Sequence, residues 1–502
     1  LVLMSFIIPG VELAAELEAN LRKFSAIGPV EVRENGRRLA SLTALSWEVR
    51  NPGEKPLLHL WSEQHNLTRR VLAITDYSEE RLALAVECFG RAKPGRLEFV
   101  RTGLERSSRE LSREEFCSRL SRILAEQFPD DSLEFLSVSP DLEHSLSGNY
   151  ARGLLRRGST YTAVLGVPGD DSSGKVENSL TFALLWLDRA RQSSRRGSVT
   201  SLRLILPKGA SLGVAHRLAA LDSRLAIELY EHDFDRESLQ KLDPNSLGNL
   251  STWLVACRET QALMDRARPA LNPILALAPQ AVSVHPVVPT REVFLRYRGL
   301  PFARWDDEHV FFGTADPRKE LTAASRPSLK RLLDDLGIHR HPLASDTRHP
   351  LYRAQAERWL ESLVREDVTR VDARLDPRFV YAQVFANAGG EHGILDLLTI
   401  TRSGRLAILE LKTTEHIHLP LQAADYWLRV RRHLQQGDFA RYGYFPGIEL
   451  QAAPPLVYLV APALHFHPAT DTLLSYLARE LEITRVGLAE GWRRGLRVVM
   501  RQ

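Results

Sequence analysis

Hydrophobic and polar positions change period several times along the chain. In VELAAELEANLRKF, residues 11–24, apolar side chains recur at helical spacing, and LASLTALSWEV and PLLHLWSE then read as strands around the turn RNPGEK. Residues 1–110 therefore read as an α+β domain. From 111 to 265 the patterns alternate: the helix REEFCSRLSRILAEQF, the strands LEFLSV and YTAVLGV, the helix ENSLTFALLWLDRAR, the strand SLRLILP, the helix GVAHRLAAL and the strand AIELYE. That order predicts an α/β sheet covered by helices. Pro269, Pro273, Pro279, Pro286 and Pro289 crowd the stretch that follows, which reads as a linker or domain edge. With the hairpin EVFLRYRGLPFARWDDEHVFFG and a short helix it makes up a small module over 266–345. The last segment, 346–502, opens on the helix LYRAQAERWLESLV. Strands FVYAQVFA, HGILDLLTI and RLAILELKT follow, then the helix LPLQAADYWLRVRRHL and the strand PLVYLVAP, an α-β-β-β-α-β order. A fragment from about 346 onwards is expected to fold alone.

Length and charge narrow the class of protein without naming it. A chain of 502 residues exceeds one core, and no repeat or low-complexity tract suggests a solenoid or a disordered tail. A net charge of +4 permits a polyanionic partner without requiring one. Cys88, Cys117 and Cys257 are scattered, with no CxxC pair, so neither disulfides nor zinc are expected, which fits a reducing cytoplasm. Pro9 and Glu12 interrupt the apolar opening long before membrane-spanning length, so no membrane segment is expected.

The chemistry concentrates in the last segment. Leu406, Ile408, Glu410 and Lys412 share one strand face and Ala407, Leu409 and Leu411 the other, so both faces are apolar until Glu410. This marks a central strand whose end opens onto something polar. Asp396 is the one charge inside GILDLLTI, on the strand before. Two carboxylates at one apolar edge repel each other unless a cation sits between them, and hard oxygen ligands suit Mg2+ or Mn2+. Such a cation polarises a phosphoryl oxygen and activates water, with Lys412 placed to steady the charge that develops. The plainer alternative is a surface Glu410–Lys412 pair and an Asp396 that caps a turn.

Asp396 in GILD, the ExK of Glu410 and Lys412, and Gln422 and Tyr426 in QAADY together resemble the PD-(D/E)XK nuclease superfamily, in its RecB-like branch with a QxxxY motif. The resemblance covers residues 346–502. It implies a restriction-endonuclease-like αβββαβ core, a metal held by Asp396 and Glu410, catalysis by these with Lys412, and nucleic-acid contacts from Gln422 and Tyr426. It also implies an acidic residue on the first helix, for which Glu357 is the candidate. His392 precedes Asp396 by only four residues and takes no role.

Gln422, Tyr426, Arg429 and His433 step by four, three and four along one helix stripe. With Ile417, Leu421, Ala424 and Leu428 facing the sheet, that stripe is expected to lie beside the site as a track for a phosphate backbone. Three other clusters favour plainer readings. The Arg and aromatic residues from Arg296 to Trp305 read as a two-faced strand, the Gly and Arg residues between Asp141 and Ser159 as a turn, and the HxH pairs His416/His418 and His465/His467 as exposed imidazoles. The whole reads as a multidomain cytoplasmic protein with a Mg-dependent nuclease at its C-terminal end, acting on DNA before RNA, its upstream domains recognising substrate, a regulatory ligand or a protein partner. Two alternatives stay open: an inactive nuclease-fold nucleic-acid-binding protein, and a ligand-gated defence or regulatory nuclease.

Overall fold

A computed structural model describes residues 10–26, 30–34, 37–42, 45–50, 55–61, 66–78, 81–87, 95–141, 143–169, 173–193, 197–233, 236–244, 252–315, 317–382, 384–387 and 396–502. The protein is mixed α/β and divides into two compact units, each built from two chain segments: 1–109 with 262–359, and 110–261 with 360–502. Among the described residues no helix is long and apolar enough to cross a membrane.

The first unit holds two separate cores. One lies between the helix Gly10–Ala26 and a seven-stranded sheet, with Leu17, Leu21 and Phe24 buried against Val32, Leu84 and Phe99. The other joins a five-stranded sheet to the helices Cys257–Leu275 and Arg326–His339. The proline-rich stretch is thus helix and strand where a linker was expected. Pro269 and Pro273 stand four apart on the exposed face, so the two missing amide donors fall on one side, while Leu263, Ala267, Leu271 and Ile274 bury the other. The hairpin's Tyr297, Phe302 and Trp305 are likewise core and offer no stacking platform. Arg340 is 0% exposed. Its guanidinium donates to the carbonyls of Tyr297, Arg298, Leu351 and Ala354 and lies over the Trp359 ring.

The second unit consists of two lobes with one topology. In the first, α1 (Thr102–Gln127) precedes β1 (Ser132–Ser137), β2 (Ala151–Arg157) and β3 (Thr160–Gly166). It continues through α2 (Ser173–Ser193), β4 (Ser198–Pro207), α3 (Leu212–Leu218), β5 (Ala226–Asp233) and β6 (Ser238–Leu242). The second lobe runs α4 (Ala356–Glu366), β7 (Leu375–Tyr381), β8 (Leu397–Thr401), β9 (Leu406–Leu411) and α5 (Leu419–Gln435). It ends with β10 (Leu456–Pro462), α6 (Thr470–Ser475), β11 (Ile483–Leu488) and β12 (Val498–Arg501). Each sheet has six strands, in the orders β6-β5-β4-β3-β2-β1 and β7-β8-β9-β10-β11-β12. Pairing agrees strand by strand: the first two pairs in chain order are antiparallel, the next two parallel and the last antiparallel.

The helices of the two lobes pack on one another, α2 against α6 and α3 against α5, which makes a sheet–helix–helix–sheet sandwich. One apolar core runs through it, from Leu180, Leu184 and Leu206 to Ile408, Trp427 and Leu459. The two contacts at its centre are reciprocal: Asp222 N–H donates to Tyr476 O and Ala478 N–H to Ala220 O. The helix expected at the start of 346–502 is two short ones, Pro350–Arg353 and α4, parted where Gln355 takes φ 45°.

This shared core alters what a fragment can do. Expressed alone, residues 360–502 would expose the face of α5 that Ala215 and Leu221 help to cover. We predict no cooperative unfolding transition for that fragment, and a sharp one for the full chain, by circular dichroism in a urea series. A cooperative melt of the fragment would show that the lobes fold independently.

Candidate active site

β9 is buried along its whole length, as its two apolar faces require for a central strand between β8 and β10. Glu410 nevertheless occupies its fifth position and is only 2% exposed. Lys412, just past the strand, sets its Nζ 3.3 Å from Glu410 Oε1. The backbone of Lys412 donates to Val460 O on β10, which fixes where its side chain leaves the sheet.

Asp396 lies one residue before β8, where the ladder ends at the Leu397–Leu409 pair. Its Oδ2 accepts the Leu411 N–H at 2.9 Å, standing in for a strand carbonyl. The carboxylate is thereby pinned beside the strand that carries Glu410. The preceding residues of HGILDLLTI, with His392, lie outside the described residues.

Tyr426 on α5 links the two acids electrostatically. Burial raises its phenol pKa, and the negative charges of Glu410, Asp396 and Asp425 push it further in the same direction. The hydroxyl thus stays protonated, a hydrogen-bond donor facing two carboxylates. One turn earlier, Gln422 Oε1 is buried and accepts no hydrogen bond among the described residues. Asp396, Glu410, Lys412 and Tyr426 are therefore brought together, with Gln422 at their border.

The rest of the expected stripe lies elsewhere. Arg429 and His433 were expected on a phosphate track, yet they are 5% and 3% exposed. Arg429 donates to Asp425 at 2.8 Å, and Asp425 also stands 3.4 Å from His216 Nε2 on α3. His433 bridges Asp438, 2.7 Å from its Nδ1, and Thr252, 3.0 Å from its Nε2. The reason is the second lobe's partner: α5 is covered by the first lobe as well as by its own sheet, so its polar stripe is internal. Glu357 sits half-buried in the first turn of α4, on the part of the chain assigned to the first unit. Glu361, one turn on, is the buried acid of that helix, and Arg365 lies within its electrostatic reach.

The histidines were expected to be exposed, and all four, His416, His418, His465 and His467, are partly buried. Burial, then the charges of Lys412 and His467, lowers the pKa of His416 to about 4. Burial and the neighbouring His416 lower that of His418 to about 4 as well, and His418 Nδ1 lies 2.8 Å from Thr181 Oγ1 on α2. The Arg residues of the Asp141–Ser159 segment are equally committed, Arg156 to Glu134 and Arg157 to Asp131.

Among the described residues no three or more His, Cys, Asp or Glu side chains gather as a ligand set. Asp396 and Glu410 offer the one or two carboxylates that a magnesium or manganese ion, which keeps several waters, needs besides a substrate phosphate. The buried, unsatisfied Gln422 oxygen is the kind of acceptor a hydrated cation would satisfy. No protein-family model and no curated protein matches the chain.

Two predictions test these placements. Asp425→Ala leaves Arg429 buried without its partner and should cost about 3–5 kcal/mol of stability, read as a fall in the urea midpoint. Arg429→Ala should likewise act on stability and leave the salt dependence of nucleic-acid binding unchanged. A flattened salt slope would return Arg429 to the track. The second concerns acid. His416 and His418 have pKa values depressed from 6.5 to about 4, so the stability they carry is whole above 6.5 and is lost as pH falls towards 4. His418→Gln should flatten the fall of the melting temperature between pH 6.5 and 4.5 relative to wild type, and an unchanged slope would exclude its titration.

Proposed function

We propose that the second lobe is a metal-dependent nuclease of the PD-(D/E)XK kind, with DNA as its first candidate substrate. The observation that carries this reading is the meeting of Asp396, Glu410 and Lys412 at the end of two buried neighbouring strands. Glu410 is 2% exposed and Asp396 is partly buried beside it; burying a carboxylate costs several kcal/mol, which a purely structural edge has no need to bear. Leaving aside the short strand Phe385–Asn387, which belongs to a separate two-stranded sheet, and the short helix Asp438–Arg441, the helix–three strands–helix–strand order of α4 to β10 and its antiparallel and parallel pairings support a restriction-endonuclease-like core.

In this reading Asp396 and Glu410 hold Mg2+ or Mn2+. The ion, when bound, would supply Lewis-acid stabilisation of the scissile phosphate and a more acidic water. The chain's own groups do the rest. Glu410 steers the Lys412 ammonium, which offers its charge to the phosphate oxygens as they become more negative. Tyr426, kept protonated by its surroundings, is a potential hydrogen-bond donor within electrostatic reach of both acids. Gln422 presents an amide where the helix meets the edge, suited to a phosphate or its hydration shell.

The test is cleavage of single- and double-stranded DNA and RNA with and without Mg2+ or Mn2+. Asp396→Ala and Glu410→Ala should each abolish metal-dependent cleavage. Lys412→Ala should slow it by about two orders of magnitude or more with metal affinity little changed. Wild-type rates in either carboxylate variant would sink the assignment.

A further inference from the structure

The two lobes of the second unit share more than an order of elements. Their hairpins close on the pairs Arg157–Thr160 and Thr401–Arg405. Their third and fourth strands run parallel in matching register, Gly166 beside Ile205 in one and Leu411 beside Val460 in the other. Both fourth strands end in proline, Pro207 and Pro462, paired with His232 and Leu488. The lobes meet through an antiparallel bridge between Leu221 and Leu477, residues that follow α3 and α6 respectively. The flanking bonds, Asp222 to Tyr476 and Ala478 to Ala220, are the same bond made twice with the lobes exchanged. Any antiparallel bridge has this local two-fold pattern. Here it joins the corresponding segments, those after α3 and α6, of two lobes that share strand order and pairing, so the local axis relates two like halves of one chain.

The register then says what stands in the first lobe where the second has its charges. Counting from the matched hairpins, Leu165 takes the place of Glu410 and Val167 that of Lys412, and both are buried. Arg152, which pairs with Leu165, takes the place of Asp396. It is 6% exposed, donates to Ser139 O and lies beside the Trp186 ring. Aliphatic side chains cannot ligate a cation, and a guanidinium at the third position repels one. The corresponding edge of the first lobe is therefore chemically disarmed.

We propose that the second unit is a fused pair of copies of one lobe, of which only the C-terminal copy can hydrolyse, so that one chain cuts one strand of duplex DNA per encounter. This rests on the nuclease reading above. Duplex DNA presents its two backbones about a local two-fold axis, so a symmetric pair with two armed edges would reach both strands. A pair with one armed edge reaches one. Hydrolysis adds water across a single phosphodiester, leaving one phosphate end and one hydroxyl end in an otherwise intact duplex.

The experiment uses the full chain on negatively supercoiled plasmid with Mn2+, followed over time by agarose gel, alongside a Mn2+ titration by calorimetry. Open circles should accumulate first, with linear DNA appearing only later as independent nicks coincide. Glu410→Gln should remove both products. Calorimetry should give one Mn2+ site per chain, lost in Asp396→Asn. Linear DNA rising in parallel with open circles from the earliest times, or two Mn2+ sites per chain, would overturn the inference while leaving the nuclease reading in place. Cleavage confined to single strands or RNA would do the same. Nicking that persists at the wild-type rate in Glu410→Gln would instead overturn both readings. No cleavage of any substrate together with no bound Mn2+ would overturn both.

Discussion

The burial of α5 between its own sheet and the first lobe, which leaves the stripe of Leu428, Arg431, Arg432 and Gln435 towards the surface, is the constraint from which the site follows. Trp427, Leu421 and Val430 fill the space between it and its neighbours, and the Trp427 indole donates to Pro455 O at 3.1 Å, which locks the helix against the start of β10. Because the helix cannot turn, Tyr426 is held where Glu410 and Asp396 both act on it. For the same reason its remaining polar groups must find partners inside the protein. Arg429 and His433 do so through Asp425 and Asp438. An arginine or histidine buried without such partners would cost more than the packing returns.

In the proposed nuclease Asp396 would combine a structural and a chemical role in one side chain. Its Oδ2 accepts the Leu411 amide of the neighbouring strand, a cross-strand cap and not the turn cap that the plainer reading of the sequence allowed. The cap does not compete with ligation of a cation, since a carboxylate has about four lone-pair sites. Instead it removes the rotation that would let the acid swing away from Glu410, and a fixed carboxylate loses less freedom on binding an ion than a mobile one. The Lys412–Glu410 contact works similarly on the other side, lowering the cost of keeping Glu410 charged where little water reaches it.

The charges that interrupt apolar strands were legible because period two leaves no ambiguity about β9: Leu406 to Leu409 are apolar on both faces and Glu410 is not. The spacing of Gln422, Tyr426, Arg429 and His433 was legible too, but the environment of that stripe was not. Helical periodicity identifies a face, and whether water or another lobe lies against it depends on residues such as Ala215 and Leu221, hundreds of positions away in a different pattern. The helix through Pro269 and Pro273 was hidden for a local reason. Prolines argue against helix one at a time, and only their common exposed face makes the pair tolerable. The kinship of the two lobes was hidden most thoroughly, since it resides in strand pairings and reciprocal backbone bonds, while the strand ends read VLGV in one lobe and LELK in the other.

Those two strand ends are opposite solutions to one physical problem, the end of a central strand sealed on both faces. In the first lobe Leu165 and Val167 solve it with apolar side chains, which lose nothing on desolvation and gain packing against the core they complete. In the second lobe a buried Glu410 carboxyl group stands there instead, with the Lys412 ammonium 3.3 Å away to offset the cost of burying it. Two separate subunits of one sequence would have to share a solution, since every substitution appears twice in a symmetric pair. Joining the copies in one chain removes that coupling. One edge is then free to become inert core, adding stability to the sandwich on which α5 depends, while the other retains the costly arrangement that chemistry requires. The sandwich thus supplies both the rigidity that holds Tyr426 against the acids and the asymmetry that leaves a single charged edge.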